Sequence, residues 1–257
     1  MSDLNEVNEE TVLVERRGRV LLVTLNRPNA MNAINNSLST GLARAIELLD
    51  SDSTLTVGIL SGAGRGFCAG MDLKAFVRGE DISSFMKFVV HGSKKPLIAA
   101  VEGFALAGGF EMALSCDLIV AAKGSKLGIP EVKVGLFAAG GGLARLPSRA
   151  GYAKAMEMAL TGESILAEEA VELGIASRLA DPGGAVAVAM ELAERIAANA
   201  PLAVAASKGL IKATTGLTEA EFWKVQALRE DRVFTSNDSR EGAKAFAEKR
   251  APIWTGS

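Results

Sequence analysis

Ala105-Leu106-Ala107-Gly108-Gly109-Phe110-Glu111-Met112-Ala113-Leu114 ends an apolar strand, turns through two glycines and opens a helix. Glycine lets the main chain approach a ligand closely. The first N–H groups of a helix lack partners inside it and carry the positive end of its dipole. The N–H of Gly108 is therefore a candidate donor to a developing oxyanion. Glu111 lies about one turn further on, so its carboxylate can reach the same cavity. The same ten residues also suit a plain strand-to-helix turn with a solvated glutamate.

Outward from this run the chain alternates. Leu97 to Val101 is apolar and β-rich, and Leu118 to Ala122 returns to strand. Upstream, Val12 to Glu15 and Val20 to Leu25 form a hairpin through Arg17-Gly18. Asn35 or Asn36 caps a helix running to about Leu49, and Leu55 to Leu60 is a buried strand. The pattern predicts an α/β architecture with mostly buried strands. After about Tyr152 the periodicity becomes helical over about 153–160, 167–173, 185–198, 202–213, 218–234 and 239–248. Pro182-Gly183-Gly184 and Asn199-Ala200-Pro201 punctuate these segments. The last third is expected to be a helical layer rather than more sheet.

Gly128-Ile129-Pro130-Glu131 places a second carboxylate twenty residues after Glu111, behind a proline that stiffens its approach. Two carboxylates in a partly dry pocket drive one pKa upward, which suits acid–base work near neutral pH. Ser61 to Met71 is glycine-rich but is neither a P-loop nor a dinucleotide fingerprint. It offers either backbone amides to an anion or a flexible surface loop. Asp72 is expected to cap the following turn. Gly140-Gly141-Gly142 reads as a loop leading into a helix, with pocket lining as a second use.

Other chemistry is scarce. The only histidine, His91, falls at an exposed helix end, which leaves no Ser-His-Asp triad. Cys68 reads as a small buried hydrophobe, Lys94-Lys95 as a solvated face, and two cysteines with one histidine make no zinc site. A net charge of −2 gives no electrostatic reason for nucleic-acid binding. No apolar run reaches the ~20 residues that span a bilayer. Met1 to Glu10 is polar and acidic, unlike a secretory or transit leader. The expected setting is soluble and cytoplasmic, with no metal.

Together these segments resemble the crotonase superfamily and, within it, the enoyl-CoA hydratases. The likeness is carried by Asn26-Arg27-Pro28-x-x-x-Asn32-Ala33, Phe67-Cys68-Ala69-Gly70-Met71-Asp72-Leu73, Ala107-Gly108-Gly109-Phe110-Glu111 with Cys116-Asp117, Gly128-Ile129-Pro130-Glu131, and Phe246-Ala247-Glu248-Lys249-Arg250. It implies a spiral of ββα units over residues 1–195 and a C-terminal α-helical trimerisation region over 196–257. It further implies an oxyanion hole from the N–H groups of Met71 and Gly108; losing one such donor typically costs about 3–4 kcal/mol of barrier. Glu111 activates water for attack at Cβ, and Glu131 exchanges the proton at Cα. Coenzyme A, part of the substrate rather than a cofactor, lies along Arg27, Ala30, Gly66, Cys68, Ala69 and Gly70. Phe246 and Lys249 come from a neighbouring subunit of a homotrimer or homohexamer. Ala139 and Gly140 border the acyl group.

Two departures stand out. Ala138-Ala139 replaces the proline-glycine pair usual in such hydratases, and Met71 stands where alanine is common. The implied activity is reversible addition of water to a trans-2-enoyl-CoA, as in fatty-acid β-oxidation. The alternatives are another crotonase-type acyl-CoA enzyme, such as an isomerase or a carnitinyl-CoA-type dehydratase, and a non-catalytic CoA- or RNA-binding member.

Overall fold

In the computed structural model, which describes residues 11–257, the all-apolar runs become the middle of one sheet. The acidic start, Met1 to Glu10, lies outside the described residues. β1 (Val12–Arg17) and β2 (Val20–Leu25) form the expected antiparallel hairpin. After α1 (Asn36–Ser51), capped by Asn35 accepting from Leu38 N, comes β3 (Val57–Gly62). It starts two residues later than Leu55 and pairs in parallel with β2. Asp72 accepts from Lys74 N and Ala75 N and so caps α2 (Leu73–Val77); α3 (Ser83–His91) ends on the exposed histidine.

Three central strands of the main sheet pass to a second layer of short strands or bridges and on to a helical element. β4 (Leu97–Val101) leads to β5 (Phe104–Leu106) and α4 (Gly108–Ser115). β6 (Leu118–Ala122) leads to β7 (Lys126–Gly128) and a 3-10 turn over Pro130–Val134. β3 follows the same course, because Cys68 beyond it bridges in parallel to Ala105 of β5. The main sheet has the order β1-β2-β3-β4-β6-β9 and is parallel from β2 onward; the small one has the order β5-β7-β8. This is the expected spiral of ββα units.

The last third corrects one expectation. Between α5 (Gly142–Ala150), α6 (Tyr152–Thr161) and α7 (Ala167–Glu172) lies β8 (Ile165–Leu166), and β9 (Arg178–Ala180) then adds an edge to the main sheet. Strands of two and three residues carry no readable alternation of their own. Their pairing with β7 and β6 defines them.

Period-two alternation sends β2 to both faces of the sheet. Leu21, Val23 and Leu25 join the core with Leu42, Leu60 and Phe110, whereas Val20 and Leu22 meet Ala185, Ala189 and Ala193 across the sheet. Those alanines are four apart on α8 (Ala185–Ala197), one small-residue face laid on the strands. Glu102 fixes its start by accepting from Gly183 N at 3.1 Å and Ala185 N at 2.9 Å.

α9 (Pro201–Ala213) is tied down by Lys208, whose Nζ lies 2.6 Å from Asp117 Oδ2; the same oxygen accepts from Leu97 N at 2.8 Å. Lys95 is half-buried rather than solvated, with Nζ donating to Asp52 O. α9, α10 (Glu219–Phe234) and α11 (Asn237–Glu248) leave Ile211, Leu228, Phe234 and Phe246 exposed. Among the described residues no helix is long and apolar enough to cross a membrane.

Candidate active site

The site is built where the 66–72 loop meets the start of α4. Leu106 N donates to Cys68 O at 3.0 Å, holding the loop against β5. A methyl group at Gly70 would lie 2.7 Å from Ala107 Cβ and 3.3 Å from Gly108 N, and one at Gly109 would overlap Cys68 O. The absence of side chains at both positions lets the two segments touch. Ile34 N donates to Gly70 O at 2.8 Å and Asp72 N to Ile34 O at 2.9 Å, the two bonds of a parallel bridge on Met71. In that geometry the N–H of Met71 itself points away from Ile34. Gly108 is the first residue of α4, so its N–H has no intrahelical partner. Ala107 before it holds φ at 50° and ψ at −131°, a conformation costing a non-glycine residue of order 1–3 kcal/mol. Its N–H donates to Gly128 O at 2.9 Å, which pins the strained residue in place.

Glu111 is not the solvated glutamate of the alternative reading: only 3% of its surface is exposed. Gly142 N donates to its Oε1 at 2.9 Å. A methyl group at Gly140 would lie 2.7 Å from Oε2, and one at Gly142 would lie 3.1 Å from Oε1. The glycine triplet is therefore a cradle for this carboxylate and not only a loop leading into α5. Burial raises the Glu111 pKa, and the N–H groups of Gly142 and Gly140 and the Arg145 charge pull it back. Arg145, from the first turns of α5, donates through Nη1 to Gly140 O at 3.0 Å and through Nη2 to Val89 O. It braces the cradle. Nothing singled it out in the sequence except its place four residues after Gly141 at a helix start.

Glu131 sits in the 3-10 turn that Pro130 opens. Its Oε2 is buried and has no hydrogen-bond partner among the described residues. Burial pushes its pKa up to about 7, its own backbone N–H opposes this, and the Glu111 charge adds to it. The two carboxyls are thus electrostatic neighbours. Glu131 forms part of the wall of a cavity of about 400 Å³ otherwise lined by apolar and aromatic side chains, including Ile129, Phe137, Leu143 and Leu160. Ala138 lines it as well and packs close to Gly142, linking the cavity wall to the Glu111 cradle. Ala139 and Gly140, expected beside the acyl group, do not line it: Ala139 is exposed and Gly140 lies against Glu111.

The expected coenzyme A edge separates into two kinds of residue. Arg27 pairs with Asp72 at 3.2 Å and donates to Ala33 O, tying the Asn26–Ala33 loop to the 66–72 loop. The fully buried Asn32 completes the tie: its Nδ2 reaches Ala63 O and Gly66 O, both at 2.9 Å. Ala30 and Ala69 are partly exposed beside it. Cys68 has the buried side chain expected of it, its thiol donating to Asn32 O at 3.1 Å and its pKa pushed by burial up to about 12. Gly66 and Gly70 are buried as well, closed over by Phe104 and Ala107 respectively. Phe246 is 88% exposed and Lys249 closes α11 at a φ of 53°, so within one chain both stand apart from these groups on the surface.

Residues 15–257 match the family model described as enoyl-CoA hydratase/isomerase. An enoyl-CoA hydratase of Mycobacterium tuberculosis is 42% identical over 251 residues, covering 93% of this chain and 94% of its own. A carnitinyl-CoA dehydratase of Proteus mirabilis is 40% identical, covering 93% and 96%. A crystal structure of an enoyl-CoA hydratase from Mycobacterium tuberculosis H37Rv superposes with a TM-score of 0.94 at 55% identity, covering 97% of this chain and 100% of that one. With a match along nearly its whole length, this chain belongs to the enoyl-CoA hydratase/isomerase family.

Proposed function

We propose that this protein is a hydro-lyase that adds water reversibly across the double bond of a trans-2-enoyl-CoA. The observation that carries the reading is the unequal pair: Glu111 held by main-chain donors, Glu131 desolvated with a pKa of about 7. Glu111 takes a proton from water as the oxygen attacks Cβ. Electrons move onto the thioester oxygen, where the N–H groups of Met71 and Gly108 stabilise the enolate. Glu131, protonated near neutral pH, delivers its proton to Cα; solvent exchange resets both acids. Acid–base groups and oxyanion donors suffice for this reaction, with coenzyme A entering as part of the substrate.

Residues 1–195 form the catalytic core in this reading and 196–257 the oligomerisation region of a homotrimer or homohexamer. The apolar residues exposed on α9–α11, Phe246 among them, support it. The protein works in the cytoplasm. Sedimentation gives a trimer or hexamer mass; a monomer at micromolar concentration contradicts the assembly. For the chemistry, incubation with crotonyl-CoA and 2-octenoyl-CoA consumes the conjugated enoyl-thioester absorbance and yields the 3-hydroxyacyl-CoA by mass. Coenzyme A binding without turnover of either overturns the reading in favour of a non-catalytic member.

A further inference from the structure

We propose that the cleft between α9 and α10 is a second anion site, separate from the catalytic groups, and that it takes a diphosphate. It lies at the end of the main sheet where β4 and β6 begin. Ser93 and Lys94 in its wall precede β4, and Asp117 behind it precedes β6. Gly108, Glu111 and Glu131 instead follow the far ends of those parallel strands. The site does not depend on the hydration reading.

The chain carries a net charge of −2, yet this cleft gathers cations alone. Lys94, Lys208, Lys212, Arg229 and Arg232 line a cavity of about 520 Å³, and no acidic residue does. Asp117 is the one carboxylate paired with any of them among the described residues, 2.6 Å from Lys208 Nζ and 3.4 Å from Lys212 Nζ. Arg229 and Arg232 have no ion-pair partner among the described residues. They stand three apart on α10, so they leave the same helix face. A methyl group at Gly209 would lie 2.3 Å from Arg229 Nη1, so the absence of a side chain there lets the guanidinium rest against α9.

Lys208 is no solvated surface lysine. Its side chain is 9% exposed, and Nζ donates to Lys95 O at 2.6 Å and to Ser93 Oγ at 3.2 Å. Burial lowers its pKa, Asp117 opposes this, and the Lys212 charge adds to it. Like charges held this way repel one another, and an entering anion relieves the repulsion. Leu202, Ala205 and Val233 form the rest of the wall, so the charges are screened less than on an open surface. Arginine forks match paired phosphate oxygens, and the lysines act as point charges. A diphosphate has the charge and the oxygens to engage both kinds of cation.

The test is calorimetry with pyrophosphate on the full chain. We expect saturable binding that weakens as sodium chloride is raised. Arg229→Gln and Lys212→Gln, on different helices, should each weaken it at least about tenfold, the loss of one charge-assisted hydrogen bond. ADP should bind about as tightly as pyrophosphate, because the cations read the diphosphate; ADP binding without pyrophosphate binding overturns the proposal. So does no binding at all, or binding unchanged in both variants. Crotonyl-CoA affinity should be the same in parent and variants. An equal loss there would assign these cations to the diphosphate of the thioester itself and sink a second site. Both variants should keep the parent mass in sedimentation. A lower mass would mean that a neighbouring copy closes the cleft, which also overturns the proposal.

Discussion

Glu111 and Glu131 carry the same side chain and both are desolvated, yet the fold gives them different partners. Around Glu111 the glycine triplet brings main-chain N–H groups to the carboxylate, and the Arg145 charge stands behind them. Around Glu131 one carboxyl oxygen has no partner among the described residues and apolar side chains line the space in front. A clamped carboxylate keeps its orientation, which suits a base. A desolvated one keeps its proton, which suits an acid. The difference teaches that the division of labour is set by what surrounds each carboxyl, since nothing in the residues themselves distinguishes them.

Removing either carboxylate should have the largest effect. Glu111→Gln and Glu131→Gln should each lower kcat at least about a hundredfold, with acyl-CoA affinity by calorimetry nearly unchanged. Full hydration by Glu111→Gln would break the scheme, and double-bond isomerisation persisting in that variant would favour an isomerase. Displacing the clamp should cost somewhat less. In Gly140→Ala the added methyl lies 2.7 Å from Glu111 Oε2, and kcat should drop roughly ten- to a hundredfold, since small misplacements are expensive in catalysis.

Arg145→Met should cost about tenfold in kcat/KM, through lost bracing of Gly140 and a lost charge. Because that charge lowers the Glu111 pKa, its loss moves the acidic limb of the hydration pH profile upward. Arg145→Lys should restore part of that position, whereas a purely structural arginine would leave the limb where it was. The smallest effect is on stability. Folded Glu131 titrates at about 7 against 4.5 for the free group, so the folded state holds this proton more tightly. Its contribution is complete below about 4.5 and lost as pH rises through about 7. Urea unfolding at pH 5 and pH 8 should show this loss in the parent and not in Glu131→Gln.

Much of the framework was legible because its signals are local. The alternation of buried strands, the Asn35 and Asp72 caps and the strand-to-helix turn at Gly108 each rest on a few consecutive residues. What escaped is long-range. β8 and β9 exist through their pairing with β7 and β6, and the 140–142 cradle becomes one only when Glu111, some thirty residues earlier, folds against it. Arg145 carries no local signal, because the Gly140 carbonyl it holds reaches it only in the folded chain, whereas Cys68 is the small buried residue expected, its thiol on Asn32 O. The triple glycine was visible; the carboxylate it makes room for was not.

The contrast between the two acids is tested most directly by following their side-chain carboxyl carbons by NMR in the free protein as pH is varied. The account predicts that the Glu131 resonance titrates near 7 and that its midpoint falls in Glu111→Gln, where the neighbouring charge is gone. A Glu131 midpoint at the ordinary glutamate value, unmoved by that substitution, would contradict it.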